Sequence, residues 1–240
     1  MLFHDEPRFG IYFGDATDAM YPTAYLTWHE MPLLLARPQI KLIVEQLRID
    51  TLFFLHQVHG IEGYVINAQG SLRPFAQDGD YLITNQSAVG LGVVTADCLP
   101  VICINTKKNV IGIAHAGWRG ALAGIVRVML DAMQKSWHIE RADCQFFLGP
   151  SAQQCCYQVG EEFHQFLAPY AWRDMVLKKR TTGYFFNLPL FVSSQLREFG
   201  IAHEAIHTTY NMCTICNDRF YSSRRSDSGR QMTIVALKKG

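Results

Sequence analysis

Between Leu91 and Ala114 the chain lays down three apolar segments in quick succession, Leu91 to Val94, Val101 to Ile104 and Val110 to Ala114. They are separated by Ala96-Asp97-Cys98 and by Lys107-Lys108-Asn109. Short runs rich in β-branched residues and bounded by polar or small residues read as buried strands joined by a loop and a turn. After Gly117 the period changes. Leu122, Ile125, Val126, Met129, Leu130 and Met133 fall on one face of a helix that ends near Trp137.

The remaining segments are mixed. Helical spacing runs from Pro38 to Leu47, and Val159 to Leu167 and Leu188 to Phe199 read as further helices. Leu52 to Leu55, Tyr64 to Ile66, Tyr81 to Thr84, Gln145 to Leu148, Ala205 to Thr208 and Met232 to Leu237 read as strands, with Asp78-Gly79-Asp80 as a turn. Residues 1 to 35 show only weak periodicity. Strands outnumber helices in an irregular order, which predicts an α+β fold with mixed β-sheets. No repeat or Pro/Gly/Ser-rich linker divides the chain, so residues 1–240 read as a single domain.

Three segments place chemistry just beyond strands: His56-Gln57-Val58-His59-Gly60, Asp97-Cys98-Leu99-Pro100 and His115-Ala116-Gly117. Two imidazoles and a thiolate form the donor set of a zinc ion with one open position, so His59, Cys98 and His115 are the candidate metal ligands. His56 and His59 fall on opposite faces of a regular strand, and His59, beside the glycine, is preferred. Asp97 is a candidate acceptor behind the ligands or a general base. A metal-free alternative makes Cys98 a nucleophile activated by His115, with Asp97 or Gln57 orienting it.

Arg119 opens the long helix, where an arginine and a helix N-terminus both favour an anion. Trp118 is a candidate stacking surface for a flat ring and equally a packing wedge. Arg224, Arg225 and Arg230 are candidate phosphate ligands because guanidinium geometry suits bidentate recognition. Cys213-Thr214-Ile215-Cys216 is a lone CxxC and reads as structural; the adjacent Cys155 and Cys156 read as packing residues.

Composition narrows the partners. The 240 residues carry a formal charge of +1, with 49% hydrophobic residues. That favours a well-filled core and argues against nucleic-acid or membrane-surface binding, the one basic cluster being Arg219 to Arg230. The first residues do not read as a signal peptide, and no apolar run is long enough to span a bilayer. An odd count of seven cysteines, without the spacing of a disulfide framework, fits a reducing cytoplasm.

Several ordered blocks carry a resemblance. Gln57-Val58-His59-Gly60, Asp78-Gly79-Asp80, Thr95-Ala96-Asp97-Cys98-Leu99-Pro100-Val101, Ala114 to Gly120, Gly149-Pro150-Ser151 with Tyr157 to Gly160, Cys213-Thr214 and Phe220 to Arg225 resemble the YfiH-type, or laccase-domain, family. The resemblance implies a four-layer α-β-β-α fold related to toxin-type cysteine hydrolases, with metal ligands at His59, Cys98 and His115. It also implies phosphorolysis of adenosine, inosine and methylthioadenosine, and deamination of adenosine, with zinc as cofactor. Other activities attached to the family are amide hydrolysis that edits a peptidoglycan precursor, and copper-dependent polyphenol oxidation. The expected partners are therefore a nucleoside with phosphate, or a cell-wall precursor nucleotide.

Two departures stand out. The family's Thr-Arg-x-Gly-Gly segment corresponds to Tyr12 to Thr17, which lacks the arginine and the paired glycines, and the usual Asn-Arg pair is not recognisable around Gln39-Ile40. The H-x-E with P-C-x-x-C signature of the known nucleobase deaminases is absent, so any deamination here follows another design. Multicopper chemistry needs clustered histidines, and the nine present are mostly dispersed.

Overall fold

The computed structural model describes residues 2–18, 37–67 and 77–239. Fourteen strands appear among them: β1 (Leu2–Asp5), β2 (Phe9–Phe13), β3 (Thr51–Phe53), β4 (Gly63–Ile66), β5 (Tyr81–Thr84), β6 (Val89–Thr95), β7 (Leu99–Asn105), β8 (Val110–Ala116), β9 (Cys144–Leu148), β10 (Gln158–Val159), β11 (Leu177–Arg180), β12 (Gly183–Phe186), β13 (Ile206–His207) and β14 (Gln231–Leu237). The helices are α1 (Pro38–Leu47), α2 (Trp118–Ala123), α3 (Ile125–Trp137), two single turns α4 (Phe163–Phe166) and α5 (Arg173–Val176), and α6 (Leu188–Glu198).

The strands form three sheets, with orders β1-β2-β14-β6-β3, β13-β9-β7-β8-β5-β4 and β10-β12-β11. Most pairs are antiparallel; β3 with β6, β4 with β5 and β9 with β13 are parallel. The fold is α+β with mixed sheets, as the pattern of strands and helices predicts.

Three apolar clusters hold the elements together. Ile11 and Phe13 of β2, Leu91 and Val93 of β6 and Val235 of β14 meet Ile102 and Ile104 of β7 and Ile111 and Ile113 of β8. These strands are buried on both faces, which is why they read as unbroken apolar runs rather than alternating ones. Ile40, Ile43 and Leu47 of α1 cover the outer face of the five-stranded sheet against Tyr12, Phe54 and Ile234. Ile125, Met129 and Met133 of α3 and Phe191 and Leu196 of α6 cover the outer face of the six-stranded sheet. Each fully buried Ile or Phe contributes about 1.5–3 kcal/mol of transfer free energy.

The caps explain where helices start and stop. Pro38 occupies the first turn of α1, and Arg48 ends it in the left-handed region at φ 54°. The Asn187 side chain accepts the Leu190 N–H at 3.0 Å and starts α6.

Elsewhere the structure departs from the sequence expectation. The stretch after Gly117 is two helices, because Gly124 at φ 86° ends α2 and re-aims α3. The helix expected over Val159 to Leu167 shrinks to Phe163–Phe166, since Gln158 and Val159 pair with β12 instead. Ala205 to Thr208 keeps only Ile206–His207 as strand after a 3-10 turn. β1 and β2 lie where periodicity was weak: β2 is buried along its whole length between β1 and β14, so nothing alternates.

Candidate active site

The site is built around Asp80. This residue precedes β5 and is 1% exposed. Its carboxylate accepts the consecutive backbone N–H groups of Val58 (3.3 Å), His59 (3.0 Å) and Gly60 (2.6 Å). Successive amides around a carboxylate make an anion nest, and this one fixes the segment that leaves β3 with His59 at φ 62°. The same carboxylate lies 2.7 Å from His115 Nδ1. Burial pushes Asp80 up, and His115 together with the Gly60 and His59 amides more than reverses this, holding it below the ordinary carboxylate range.

With Nδ1 committed to Asp80, His115 presents Nε2 to the other donors. His115 is the penultimate residue of β8, His59 follows β3, and Cys98 sits on the loop from β6 to β7. The Cys98 Sγ lies 3.8 Å from His59 Nε2, the two imidazole rings stand edge to face at 4.7 Å, and all three donor atoms lie within 4.8 Å of one another. Ligands about 2.0–2.3 Å from a tetrahedral ion are spaced close to this. A carboxylate behind a ligating histidine is the usual support of such a centre. The donor set and its backing therefore fit a metal ion, and His59, Cys98 and His115 all line one cavity.

Among themselves the donors form a thiolate–imidazolium pair. Burial pushes the Cys98 thiol up, but His115 and His59 bring it down to about 6. Burial pushes His115 down, but Cys98 and Asp80 raise it to about 9. A cation replacing the imidazolium proton finds the thiolate already favoured.

A cavity of about 540 Å³ opens over the donors. His56, Gln57, Thr95, Asp97, Trp118, Tyr157, Arg224 and Arg230 contribute to its wall. Arg224 Nη1 donates to the Gln158 carbonyl at 2.8 Å and its guanidinium lies 4.9 Å from the Tyr157 ring centre. Arg230 Nη1 donates to the Gly229 carbonyl at 2.7 Å. Tyr157 is pushed up to about 12, first by burial and then by the negative charge of Cys98 and Asp97, against the opposing pull of Arg224. The Thr95 hydroxyl, buried in this wall, has no hydrogen-bond partner among the described residues.

Not every residue singled out in the sequence joins this cavity. Arg119 lies over the Trp118 ring at 4.6 Å and lines a separate shallow groove with Leu122, Phe166 and Tyr170. Trp118 borders both spaces, whereas Arg119 borders the groove and not the cavity. Arg225 also turns away. Its guanidinium binds the carbonyls of Thr214 (2.5 Å), Ile215 (2.8 Å) and Phe220 (2.5 Å) and the Asp227 carboxylate (2.6 Å), so it braces a loop.

Asp97 lines the cavity at φ 87°, but its carboxylate accepts the hydroxyls of Thr214 (2.7 Å) and Ser222 (3.0 Å) and the Arg224 N–H (2.8 Å). It ties the Thr214 to Arg224 loop to the cavity, and the acceptor role behind the ligands falls to Asp80. Gln57 spends both ends of its amide on Val94, donating to the carbonyl and accepting the N–H at 2.8 Å each. His56 pairs with Asp78 at 2.6 Å. Asp80 escaped sequence reading because Asp-Gly-Asp between strands looks like a turn; the signal available was a carboxylate entering a strand beside histidines that needed one.

The family model described as multi-copper polyphenol oxidoreductase laccase matches residues 37–238. The chain belongs to this family. A purine nucleoside phosphorylase of Aquifex aeolicus is 37% identical over 161 residues, 67% of this chain and 71% of that protein. A purine nucleoside phosphorylase, YlmD, of Geobacillus stearothermophilus is 31% identical over 66% of this chain and 58% of that protein. The adenosine deaminase RL5, from an unknown prokaryotic organism, is 29% identical over 66% of this chain and 62% of that protein. The chain thus spans from just under three fifths to about seven tenths of these relatives. Among solved structures, YfiH of Bacillus licheniformis superposes with a TM-score of 0.81 at 24% identity, covering 98% of this chain and 99% of that one. Among the described residues no helix is long and apolar enough to cross a membrane.

Proposed function

We propose that this chain is a single-domain, metal-dependent purine nucleoside enzyme, with phosphorolysis as its main reaction. The observation carrying this reading is the convergence on one cavity of a three-donor metal centre, two arginines and two aromatic side chains. The names of the relatives at 37% and 31% identity support the choice of substrate class. The packing of α1, two sheets and α3 with α6 is read as the four-layer α-β-β-α arrangement.

In this reading Arg224 and Arg230, both in the cavity wall, hold phosphate through their guanidinium groups. Phosphate oxygen forms a bond to the anomeric carbon of the ribose as the bond to the purine nitrogen breaks, and the proton of hydrogen phosphate passes to the departing base. Tyr157 and Trp118 supply aromatic wall for the base, and the Thr95 hydroxyl supplies a hydrogen bond. Zn²⁺ is the ion expected on His59, Cys98 and His115, and when bound there it would supply Lewis acidity. Deamination of adenosine is a second reading, favoured by the likeness to the deaminase RL5. A multicopper oxidase needs several histidine-rich centres, and the described residues offer one centre that contains histidine.

Purified protein incubated with adenosine, with and without phosphate, tests this. Adenine and ribose 1-phosphate appearing only with phosphate support phosphorolysis; inosine appearing without it supports deamination. The Arg224→Ala and Arg230→Ala variants are expected to raise the KM for phosphate at least about tenfold, the loss of a charge-assisted contact. Inertness towards adenosine, with turnover of an aminoacylated cell-wall nucleotide instead, overturns the proposal.

A further inference from the structure

Four cysteines converge on a second place. Cys155 and Cys156 lie on the turn before β10, and Cys213 and Cys216 on the loop that follows β13. Their four sulfurs all lie within 4.8 Å of one another, with Cys155 Sγ 3.8 Å from Cys216 Sγ. A tetrahedral ion with sulfurs at about 2.3 Å places them about 3.8 Å apart. We propose that Cys155, Cys156, Cys213 and Cys216 form a structural tetrathiolate site for a thiophilic divalent cation, zinc in particular.

Packing does not account for this cluster. Filler cysteines are buried, as Cys103 and Cys144 are in the core, whereas Cys155 and Cys216 are exposed. A disulfide would hold two sulfurs at about 2.05 Å, whereas all four thiols are free and Cys155 Sγ stands 3.8 Å from Cys216 Sγ.

Four thiolates around a divalent ion leave a net double negative charge, and Arg180, bound to the Cys155 carbonyl, is a cation beside the cluster. Arg180 donates to the carbonyls of Gln154 and Cys155 at 3.0 and 3.1 Å, and Arg225 to those of Thr214 and Ile215, so one guanidinium braces each cysteine-bearing loop. The site lies behind the cavity wall: Tyr157 follows Cys156, and Thr214, next to Cys213, binds Asp97. The ion would staple these two loops, and its role is independent of what the His59–Cys98–His115 centre binds.

The test uses the full chain. A His59→Ala/Cys98→Ala variant removes the first centre, and elemental analysis after equilibration with zinc is expected to find one ion per chain. Replacement by Co²⁺ is expected to give the intense thiolate charge-transfer absorption of a tetrathiolate centre. Adding Cys155→Ser/Cys216→Ser to that background is expected to abolish both. Should the quadruple variant not fold, the cobalt spectrum of the double variant decides alone. A folded double variant that takes up neither zinc nor cobalt, or one whose mass shows a Cys155–Cys216 disulfide in place of metal, overturns the proposal.

Discussion

At the scale of single residues, Asp80 carries the most weight for its size. One buried carboxylate fixes the His115 tautomer and shapes the segment bearing His59, so losing it disturbs two ligands together. Asp80→Asn is expected to weaken zinc affinity about 10–100-fold, read by competition against a chromophoric chelator. Asp97→Asn is expected to leave that affinity within about twofold, because its partners are loop groups; a larger loss there would overturn the division of roles. The thiol offers a second check. In metal-stripped protein Cys98 is lowered to about 6, so it is thiolate above that pH. Its alkylation rate should rise through about pH 6 and level off, whereas an ordinary thiol at about 8.5 is still climbing. His115→Ala removes the largest favourable interaction and should move the midpoint upward. His59, Cys98 and His115 were legible because each follows an apolar strand beside a turn-forming residue. Which of Arg119, Arg224, Arg225 and Arg230 faces the cavity was not, since that depends on tertiary direction rather than residue type.

At the scale of elements, the strand block from Leu91 to Ala114 and the helical face after Gly117 were readable because they are long and apolar. The β10-β12-β11 sheet was not: its strands have two to four residues, and Leu177–Arg180 shows one buried residue and three exposed. The junction between β8 and α2 shows how closely element and site are fitted. A Cβ on Gly117 would stand 2.9 Å from His59 Cδ2 and 3.1 Å from Cys98 Sγ, although its backbone at φ −66° suits any residue. Gly117→Ala should therefore fold but displace two donors, lowering zinc affinity at least about tenfold, the scale seen when the support of a ligand is disturbed. Gly124→Ala makes the converse case. Its φ of 86° is strained for alanine while the added carbon meets nothing within 4 Å. It should cost about 1–2 kcal/mol of stability and leave affinity unchanged. Equal affinity in the Gly117→Ala protein and the parent would show that the donors have slack at this junction.

At the scale of the molecule, the donors come from different sheets. His59 leaves β3 of the five-stranded sheet, Cys98 lies where the chain passes from β6 of that sheet to β7 of the six-stranded one, and His115 is the penultimate residue of β8 of the latter. The sheets are already joined by the apolar cluster of Ile102, Ile111, Leu91 and Val235, so an ion at this centre adds a polar clasp at the edge of an apolar interface. A ligand that binds only the folded state stabilises it by about 2.7 kcal/mol at one hundred times its dissociation constant. For a chain of this size each kcal/mol shifts the melting temperature by about 2–4 °C. Zinc at that excess should therefore raise the melting temperature of stripped protein by about 5–10 °C. The tetrathiolate site adds its own increment, so the comparison belongs in the Cys155→Ser/Cys216→Ser background, where only the clasp remains. There, Cys98→Ala should remove the zinc-dependent shift without lowering the zinc-free melting temperature by more than a few degrees, because the sheets stay packed. A zinc shift that survives Cys98→Ala in that background would mean that the ion does not hold the two sheets at this centre.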